Sequence, residues 1–125
     1  MRFLTVDDSK TMRNIIKKTL SLFDGAEVFE AADGAEGLAA FQQNNPIDLV
    51  LLDWNMPNMD GLTMLTKLRE TNKTVPVIMV TTEAEKPRIV AAIKAGANNY
   101  VIKPFTGDAL KEKIEETLKK AGQPA

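Results

Sequence analysis

Short apolar runs alternate along the chain with longer segments in which apolar residues recur every three or four positions. A short apolar run is typical of a buried strand, and the three- and four-residue spacing is typical of an amphipathic helix. The pattern therefore predicts five strands, each followed by a helix. The predicted strands fall at residues 3–6, 26–31, 49–52, 77–80 and 100–102.

Residues at the ends of these segments indicate where the helices begin and end. Ser9 is a good N-cap for the first helix, and Gly25 is expected to end it. Asp33-Gly34 is typical of a turn, after which a second helix is predicted over residues 35–43. The apolar stripe expected on the inner side of the first helix consists of Met12, Ile15, Ile16, Leu20 and Phe23. The later helices are marked by Leu62, Leu65 and Leu68, by Ile89, Val90 and Ile93, and by Leu110, Ile114 and Leu118.

The regular alternation predicts a doubly wound α/β sandwich with a parallel sheet and right-handed crossovers. The runs at 49–52 and 77–80 are apolar throughout, which is typical of central parallel strands that helices cover on both faces. Each strand–helix unit takes about 25 residues, one fifth of the 125 in the chain. We therefore expect one domain over residues 1–121, followed by a short tail at 122–125.

Composition excludes several kinds of chemistry. The chain has no cysteine and no histidine, which excludes disulfides, thiolate nucleophiles, imidazole metal ligands and Ser-His-Asp catalysis. A net charge of −1 argues against sequence-independent binding to nucleic acid, which needs a basic face. The apolar runs are too short to span a bilayer, and no targeting signal stands out, so a cytoplasmic protein without a membrane partner is expected.

Polar residues interrupt the pattern at the points where strands end. Asp7 and Asp8 follow the first strand, Asp53 ends the third, Thr81 ends the fourth and Lys103 ends the fifth. Each of them alone is most simply an ordinary loop residue. The carboxyl ends of parallel strands, however, lie along one edge of the sheet, where ligands bind in folds of this class. The joint placement predicts that these five residues share one crevice.

Three neighbouring carboxylates would repel one another strongly. Two of them about 4 Å apart repel by roughly 4 kcal/mol at an effective dielectric constant near 20. One lysine offsets only part of this, so a divalent cation with oxygen ligands is expected, Mg²⁺ foremost, with Mn²⁺ also suitable. A hydroxyl and an ammonium in the same crevice are suited to a phosphoryl group. The combination indicates an aspartate that itself becomes phosphorylated.

Four blocks of the chain resemble the signature blocks of response-regulator receiver domains. They are residues 6–9 (VDDS), 52–61 (LDWNMPNMDG), 80–83 (VTTE) and 100–105 (YVIKPF). The resemblance covers essentially the whole chain in the expected order, and it is greatest to the single-domain chemotaxis regulators of that family. It implies a flavodoxin-like (βα)5 fold with strand order 2-1-3-4-5, an order that is taken from the family and not from the strand pattern.

The resemblance also implies a role for each site residue. Asp53 would accept a phosphoryl group from a phosphohistidine on a sensor histidine kinase. The Mg²⁺ ligands would be Asp7, Asp8, Asp53 and the backbone carbonyl of Asn55. Thr81 and Lys103 would each bind a phosphoryl oxygen, and a cis peptide before Pro104 would aim the lysine. Asn55 and Glu83 would tune the lifetime of the acyl phosphate.

The output implied by the resemblance is the binding of a partner protein. Tyr100 would act as the aromatic switch that follows Thr81 inward, and the leading target is a flagellar motor switch protein. A dedicated phosphatase is a further expected partner, and the chain is expected to be a monomer. The partner face would comprise Ala84, Lys86, Ile89, Tyr100, Ile102 and Lys113.

Alternatives within and outside the family remain open at this point. The chain could be a phosphorelay intermediate, or the receiver part of a longer transcriptional regulator. A phosphatase with an aspartyl-phosphate intermediate would want a second acid two residues after the nucleophile, where Asn55 stands. A flavin or nucleotide module would want a glycine- or hydroxyl-rich loop in place of Asp7-Asp8. We therefore expect no enzyme activity beyond the chain's own phosphorylation and dephosphorylation.

Overall fold

The computed structural model describes residues 1–82 and 86–122, apart from the side chain of Lys86. Within these ranges strands and helices alternate throughout, as the apolar pattern predicts. The strands are β1 (Arg2–Val6), β2 (Glu27–Ala31), β3 (Leu49–Asp53), β4 (Val77–Thr81) and β5 (Asn99–Ile102). The helices are α1 (Lys10–Leu20), α2 (Gly34–Gln43), α3 (Gly61–Thr71), α4 (Lys86–Ala95) and α5 (Gly107–Lys120).

All five strands are parallel and lie in the order β2-β1-β3-β4-β5, which confirms the expected fold class and strand order. The register pairs Val6 with Leu52 and Thr81 with Ile102. The carboxyl ends of β1, β3, β4 and β5 therefore lie within two residues of one another along the sheet. Every polar residue that directly follows one of these ends is brought to the same edge.

A hydrophobic core lies on each face of the sheet. Alternate residues of β1 point to opposite faces, so Leu4 and Val6 contact the helices α2 and α3, whereas Phe3 faces α1 and α5. Every residue of β3 and β4 is buried, as the unbroken apolar runs predict. The apolar stripe of α5 is also fully buried, and it consists of Leu110, Ile114 and Leu118.

The predicted end and inner face of the first helix were partly wrong. Ser9 does cap α1, because its hydroxyl accepts a hydrogen bond from the Met12 N–H. The helix ends at Leu20, however, and Gly25 lies beyond it in the turn to β2 with φ 65°. Phe23 lies in that turn and is buried, whereas Ile15 is 46% exposed. Ile16 and Leu20, one turn apart, fill the inner face, which leaves Ile15 about 100° round the helix from it.

The second helix begins one residue earlier than predicted. Asp33 is its N-cap and accepts a hydrogen bond from the Glu36 N–H, so Gly34 is helical and the expected separate turn is absent here. Among the described helices, none is long and apolar enough to cross a membrane. Four expectations fall outside the described residues: the roles given to Glu83 and Ala84, the place of the Lys86 side chain on the partner face, and the tail, of which only Gly122 is described. The predicted domain boundary at residue 121 stays a prediction.

Candidate functional site

Three carboxylates converge at the carboxyl edge of the sheet. One oxygen from each of Asp7, Asp8 and Asp53 lies within 4.8 Å of the others. Asp7 is 1% exposed and Asp53 is 6% exposed, while Asp8 faces solvent. The cluster forms because β1 and β3 are neighbours in register, which places the residue after Val6 beside the last residue of β3. This confirms the predicted juxtaposition of the three acids.

Lys103 reaches this cluster from the end of β5. Its ammonium donates to Asp7 Oδ2 at 3.1 Å and to Asp53 Oδ1 at 3.2 Å. The lysine is held in place by its backbone N–H, which donates to the Thr81 carbonyl at 2.8 Å, and the peptide that follows it is cis, as expected. One ammonium thus contacts two of the three carboxylates of the cluster.

The electrostatic consequence is concentrated on Asp53. Burial raises the pKa of its carboxyl to about 6, the charge of Asp7 adds to the rise, and Lys103 opposes it. The ionised carboxylate is therefore disfavoured at this position compared with water. An additional cation within reach of these oxygens would relieve that penalty.

The donor set fits a hard divalent cation. The atoms that face one another are carboxylate oxygens, and the chain has no cysteine thiolate or histidine imidazole to offer as a ligand. Mg²⁺ and Mn²⁺ prefer such oxygen ligands, and Mg²⁺ commonly uses few protein ligands and keeps several waters. Asn55, two residues after Asp53, is exposed at the same edge.

The loop after β3 is held by contacts that the sequence pattern did not indicate. Asn58 has φ 67°, and its side-chain amide donates to Asp33 Oδ2 at 2.9 Å. The Gly61 N–H donates to the Trp54 carbonyl at 2.8 Å. The signal for Asn58 was present, because asparagine tolerates the left-handed region better than most residues. These contacts fix the path of the loop that carries Asn55.

Thr81 lies where the sequence predicts, at the end of β4, and is 3% exposed. Tyr100 is half-buried on β5, and the Lys113 ammonium lies 5.2 Å from the centre of its ring. Ile89 and Ile102 are also half-buried. Of the expected partner face, the structure describes Ile89, Tyr100, Ile102 and Lys113, and the contact of Tyr100 with Lys113 joins β5 to α5.

Two arginines near the site were not foreseen. The Arg88 guanidinium lies 5.1 Å from the centre of the Trp54 ring, which is 7% exposed and belongs to the core beneath α3 and α4. Arg13 donates from Nη1 to the Asp7 carbonyl at 2.6 Å. Long cationic side chains on the first turns of α1 and α4 were the available signal, because those turns lie beside the carboxyl edge of the sheet.

The parallel sheet in the order 2-1-3-4-5, with a cluster of three carboxylates and a lysine at its carboxyl edge, defines a flavodoxin-like α/β domain. A comparison with models of protein families identifies the family within this fold class. Residues 3–115 match the response regulator receiver domain, and the chain belongs to that family.

Several known proteins are similar to this chain over nearly its full length. The chemotaxis protein CheY1 of Helicobacter pylori is 48% identical over 120 residues, which is 94% of this chain and 97% of that protein. The solved structure of Vibrio cholerae chemotaxis protein CheY4 is 34% identical, with a TM-score of 0.87 over 94% of this chain and 98% of the other. The CheX–CheY–BeF3–Mg²⁺ complex of Borrelia burgdorferi gives a TM-score of 0.88 at 28% identity, over 93% and 87%. The chain is therefore similar over nearly its full length to CheY receiver domains that are named as chemotaxis proteins.

Proposed function

We propose that this receiver domain accepts a phosphoryl group on Asp53 from a phosphohistidine of a sensor histidine kinase. The observation that carries the proposal is the buried carboxylate of Asp53 beside Asp7, Asp8 and Lys103 at an open sheet edge. An Asp53 oxygen forms a bond to phosphorus while the bond from phosphorus to the imidazole nitrogen breaks. That nitrogen keeps the electron pair and the imidazole ring takes up one proton from solvent, so the kinase histidine returns to its neutral form and Asp53 becomes an acyl phosphate.

The chain's own residues would supply most of the binding. Asp7, Asp8, Asp53 and the Asn55 carbonyl would hold Mg²⁺, which when bound neutralises charge on the incoming phosphoryl oxygens. Lys103 already bonds to Asp53 Oδ1, so its ammonium is close enough to bind an oxygen of a phosphoryl group attached to Asp53. The Thr81 hydroxyl, at the end of the neighbouring strand, would bind another.

The lifetime of the acyl phosphate would depend on the groups that admit and orient water. Asn55 is exposed two residues after Asp53, so its amide borders the path from solvent. We assign Asn55 and Glu83 to this tuning role. Beyond its own phosphorylation and dephosphorylation, we propose no enzymatic activity for the chain.

We further propose that phosphorylation alters the face formed by α4, β5 and α5. Thr81 and Lys103 connect the site to the end of β5, and Tyr100 and Lys113 meet on the same face. A flagellar motor switch protein is the proposed target, which agrees with the chemotaxis proteins among the relatives. The similar CheY in complex with CheX, BeF3 and Mg²⁺ supports a further partner that acts on the loaded form.

The proposal is tested by incubating the full chain with acetyl phosphate and Mg²⁺ and measuring its intact mass. We expect one added phosphoryl group, none with EDTA and none in Asp53→Asn. Asp24→Asn, which removes an exposed carboxylate in the turn before β2, is the matched control and should label like the unmodified chain. Equal labelling of Asp53→Asn would contradict the assignment of the phosphoacceptor.

A further inference from the structure

We infer that Arg13 is a positioning residue for the cation site, because it fixes the peptide that joins Asp7 to Asp8. The inference rests on the proposed Mg²⁺ role of those two carboxylates. Arg13 donates to a backbone carbonyl and touches none of the carboxylates of the cluster in the described contacts. Its effect on the cation would therefore act through the main chain.

The guanidinium is held at two points. Its Nη1 donates to the Asp7 carbonyl at 2.6 Å, and its Nε donates to Glu30 Oε1 at 3.0 Å. The other oxygen of Glu30 accepts from the Lys17 ammonium at 3.0 Å. The Arg13 side chain is only 15% exposed. A planar fork bound at two of its nitrogens has little freedom to rotate, so it holds the carbonyl in one orientation.

This carbonyl is the point at which the sheet stops supporting the chain. The Asp7 N–H still pairs with the Ala31 carbonyl at 3.0 Å, but β1 itself ends at Val6. The Asp7 carbonyl begins the peptide to Asp8, so the orientation of that peptide sets the separation of the two side chains. Mutual repulsion among the carboxylates would turn the peptide unless something held it. Arg13 supplies a short, charge-assisted bond at this place.

A purely electrostatic role predicts the opposite result. A positive charge beside a cation site repels the cation, so if Arg13 contributed only charge, its removal would tighten Mg²⁺ binding. If Arg13 holds the peptide, its removal loosens two ligands and weakens Mg²⁺ binding. Partners that orient metal ligands typically change metal affinity about 10- to 100-fold. The two accounts differ in the sign of the effect.

The test measures the dissociation constant of Mg²⁺ alone by isothermal titration calorimetry on the full chain. Lys17→Gln is the matched control, because Lys17 also lies on α1 and also binds Glu30, yet has no described contact with Asp7. We expect Arg13→Gln to weaken Mg²⁺ binding about 10-fold. Lys17→Gln should leave the affinity unchanged or slightly tighter. Affinity in Arg13→Gln equal to or tighter than in Lys17→Gln would overturn the inference.

Arg13→Lys keeps the charge and decides the matter if Arg13→Gln does not fold. A lysine ammonium on a flexible side chain does not reproduce the two hydrogen bonds of the guanidinium. We therefore expect Mg²⁺ binding several-fold weaker than in the unmodified chain. A charge-only role predicts no difference, and that result would overturn the inference. Absence of Mg²⁺ binding in the unmodified chain would instead refute the proposed function, on which the inference depends.

Discussion

At Asp53 one side chain meets two opposing demands. Burial and the neighbouring Asp7 disfavour its charge and raise its pKa to about 6, yet the proposed chemistry needs an ionised oxygen. Lys103 meets part of that demand in the structure through its bond to Asp53 Oδ1. A bound divalent cation would meet the rest. The ionised Asp53 carboxylate therefore lowers the stability of the metal-free fold, and a bound cation would offset that loss.

Asp53→Asn should raise the free energy of unfolding of the metal-free protein. A carboxyl whose folded pKa exceeds its unfolded value costs stability once the pH is above the folded pKa, so the cost is fully present at pH 7. A pKa of about 6 in place of the ordinary 3.8 corresponds to about 3 kcal/mol, and loss of part of the Lys103 bond reduces the expected gain to about 1–3 kcal/mol. Urea unfolding in EDTA measures it, and lower stability than in the Asp24→Asn control would contradict the account.

Asp33 should show a pH dependence of the opposite kind. Hydrogen bonds from the Glu36 N–H and then from Asn58 hold the pKa of its carboxyl below the usual value near 3.8. A lowered folded pKa adds stability above the unfolded pKa, and that stability is lost as the pH falls through the folded pKa. The stability difference between the unmodified chain and Asp33→Asn should therefore shrink below about pH 4. Thermal unfolding from pH 6 to 3 tests this, and a difference that widens in acid would be evidence against it.

The principal site residues were predictable because topology places them. All five lie at the carboxyl ends of strands or just after them, so the strand pattern alone places Asp7, Asp8, Asp53, Thr81 and Lys103 along one edge of the sheet. The hydrogen bond from Arg13 to the Asp7 carbonyl depends on the reach of the arginine side chain. The left-handed conformation of Asn58 depends on the backbone angles of that one residue. Neither property is encoded in the spacing of apolar residues.

At the scale of the elements, the start of α3 packs directly against the site. It begins at Gly61, whose N–H donates to the Trp54 carbonyl, and the start of the helix lies directly against the backbone of Asp53. A Cβ at Gly61 would overlap the Asp53 carbonyl oxygen. The glycine is thus required by close approach, because its φ is not in the left-handed region.

Gly61→Ala should destabilise the fold and displace Asp53. The overlap is with backbone and not with a flexible side chain, so relief requires a shift of β3 or α3, at about 2 kcal/mol or more. Gly107→Ala is the matched control, because Gly107 also begins a helix and its added Cβ would meet only Thr19 Oγ1 at 3.6 Å. The control should leave the stability unchanged or raise it by up to about 1 kcal/mol in urea unfolding. Equal effects in the two variants would refute the close-approach argument.

The sequence predicted the existence and type of every described element, but not every helix end. All ten follow from the period of the apolar residues. The end of α1 was misplaced because Phe23 continues the helical spacing while the chain has already turned at Ser21. The exposure of Ile15 shows the same limit, since apolar residues also occur on solvent-facing surfaces.

On the scale of the whole molecule, the sheet acts as a frame between two cores. Both faces of β3 and β4 are covered, so the two cores hold the strand ends that carry Asp53 and Thr81. The alternation of elements predicted a parallel sheet, but it left the order of the strands open. The order came from the resemblance of four sequence blocks to a family, because nonlocal pairing is not visible in a periodic pattern.

Mg²⁺ should raise the unfolding temperature of the whole domain. A ligand that binds only the folded state at 100 times its dissociation constant adds about 2.7 kcal/mol. The unfolded chain separates Asp7 and Asp8 from Asp53, so it cannot offer the same cluster. Differential scanning calorimetry with Mg²⁺ against EDTA measures the shift, and Asp53→Asn should reduce it. A shift of equal size in that variant would indicate that the cation binds elsewhere.

The central claim is that the crowded carboxylates accept a cation first and a covalent phosphoryl group second. Trp54, the only tryptophan, directly follows Asp53, so its fluorescence reports on both events. In the unmodified chain we expect one change on adding Mg²⁺ and a second on adding acetyl phosphate. The second change should be absent in EDTA and in Asp53→Asn. A full response to acetyl phosphate without Mg²⁺, or in Asp53→Asn, would contradict the claim.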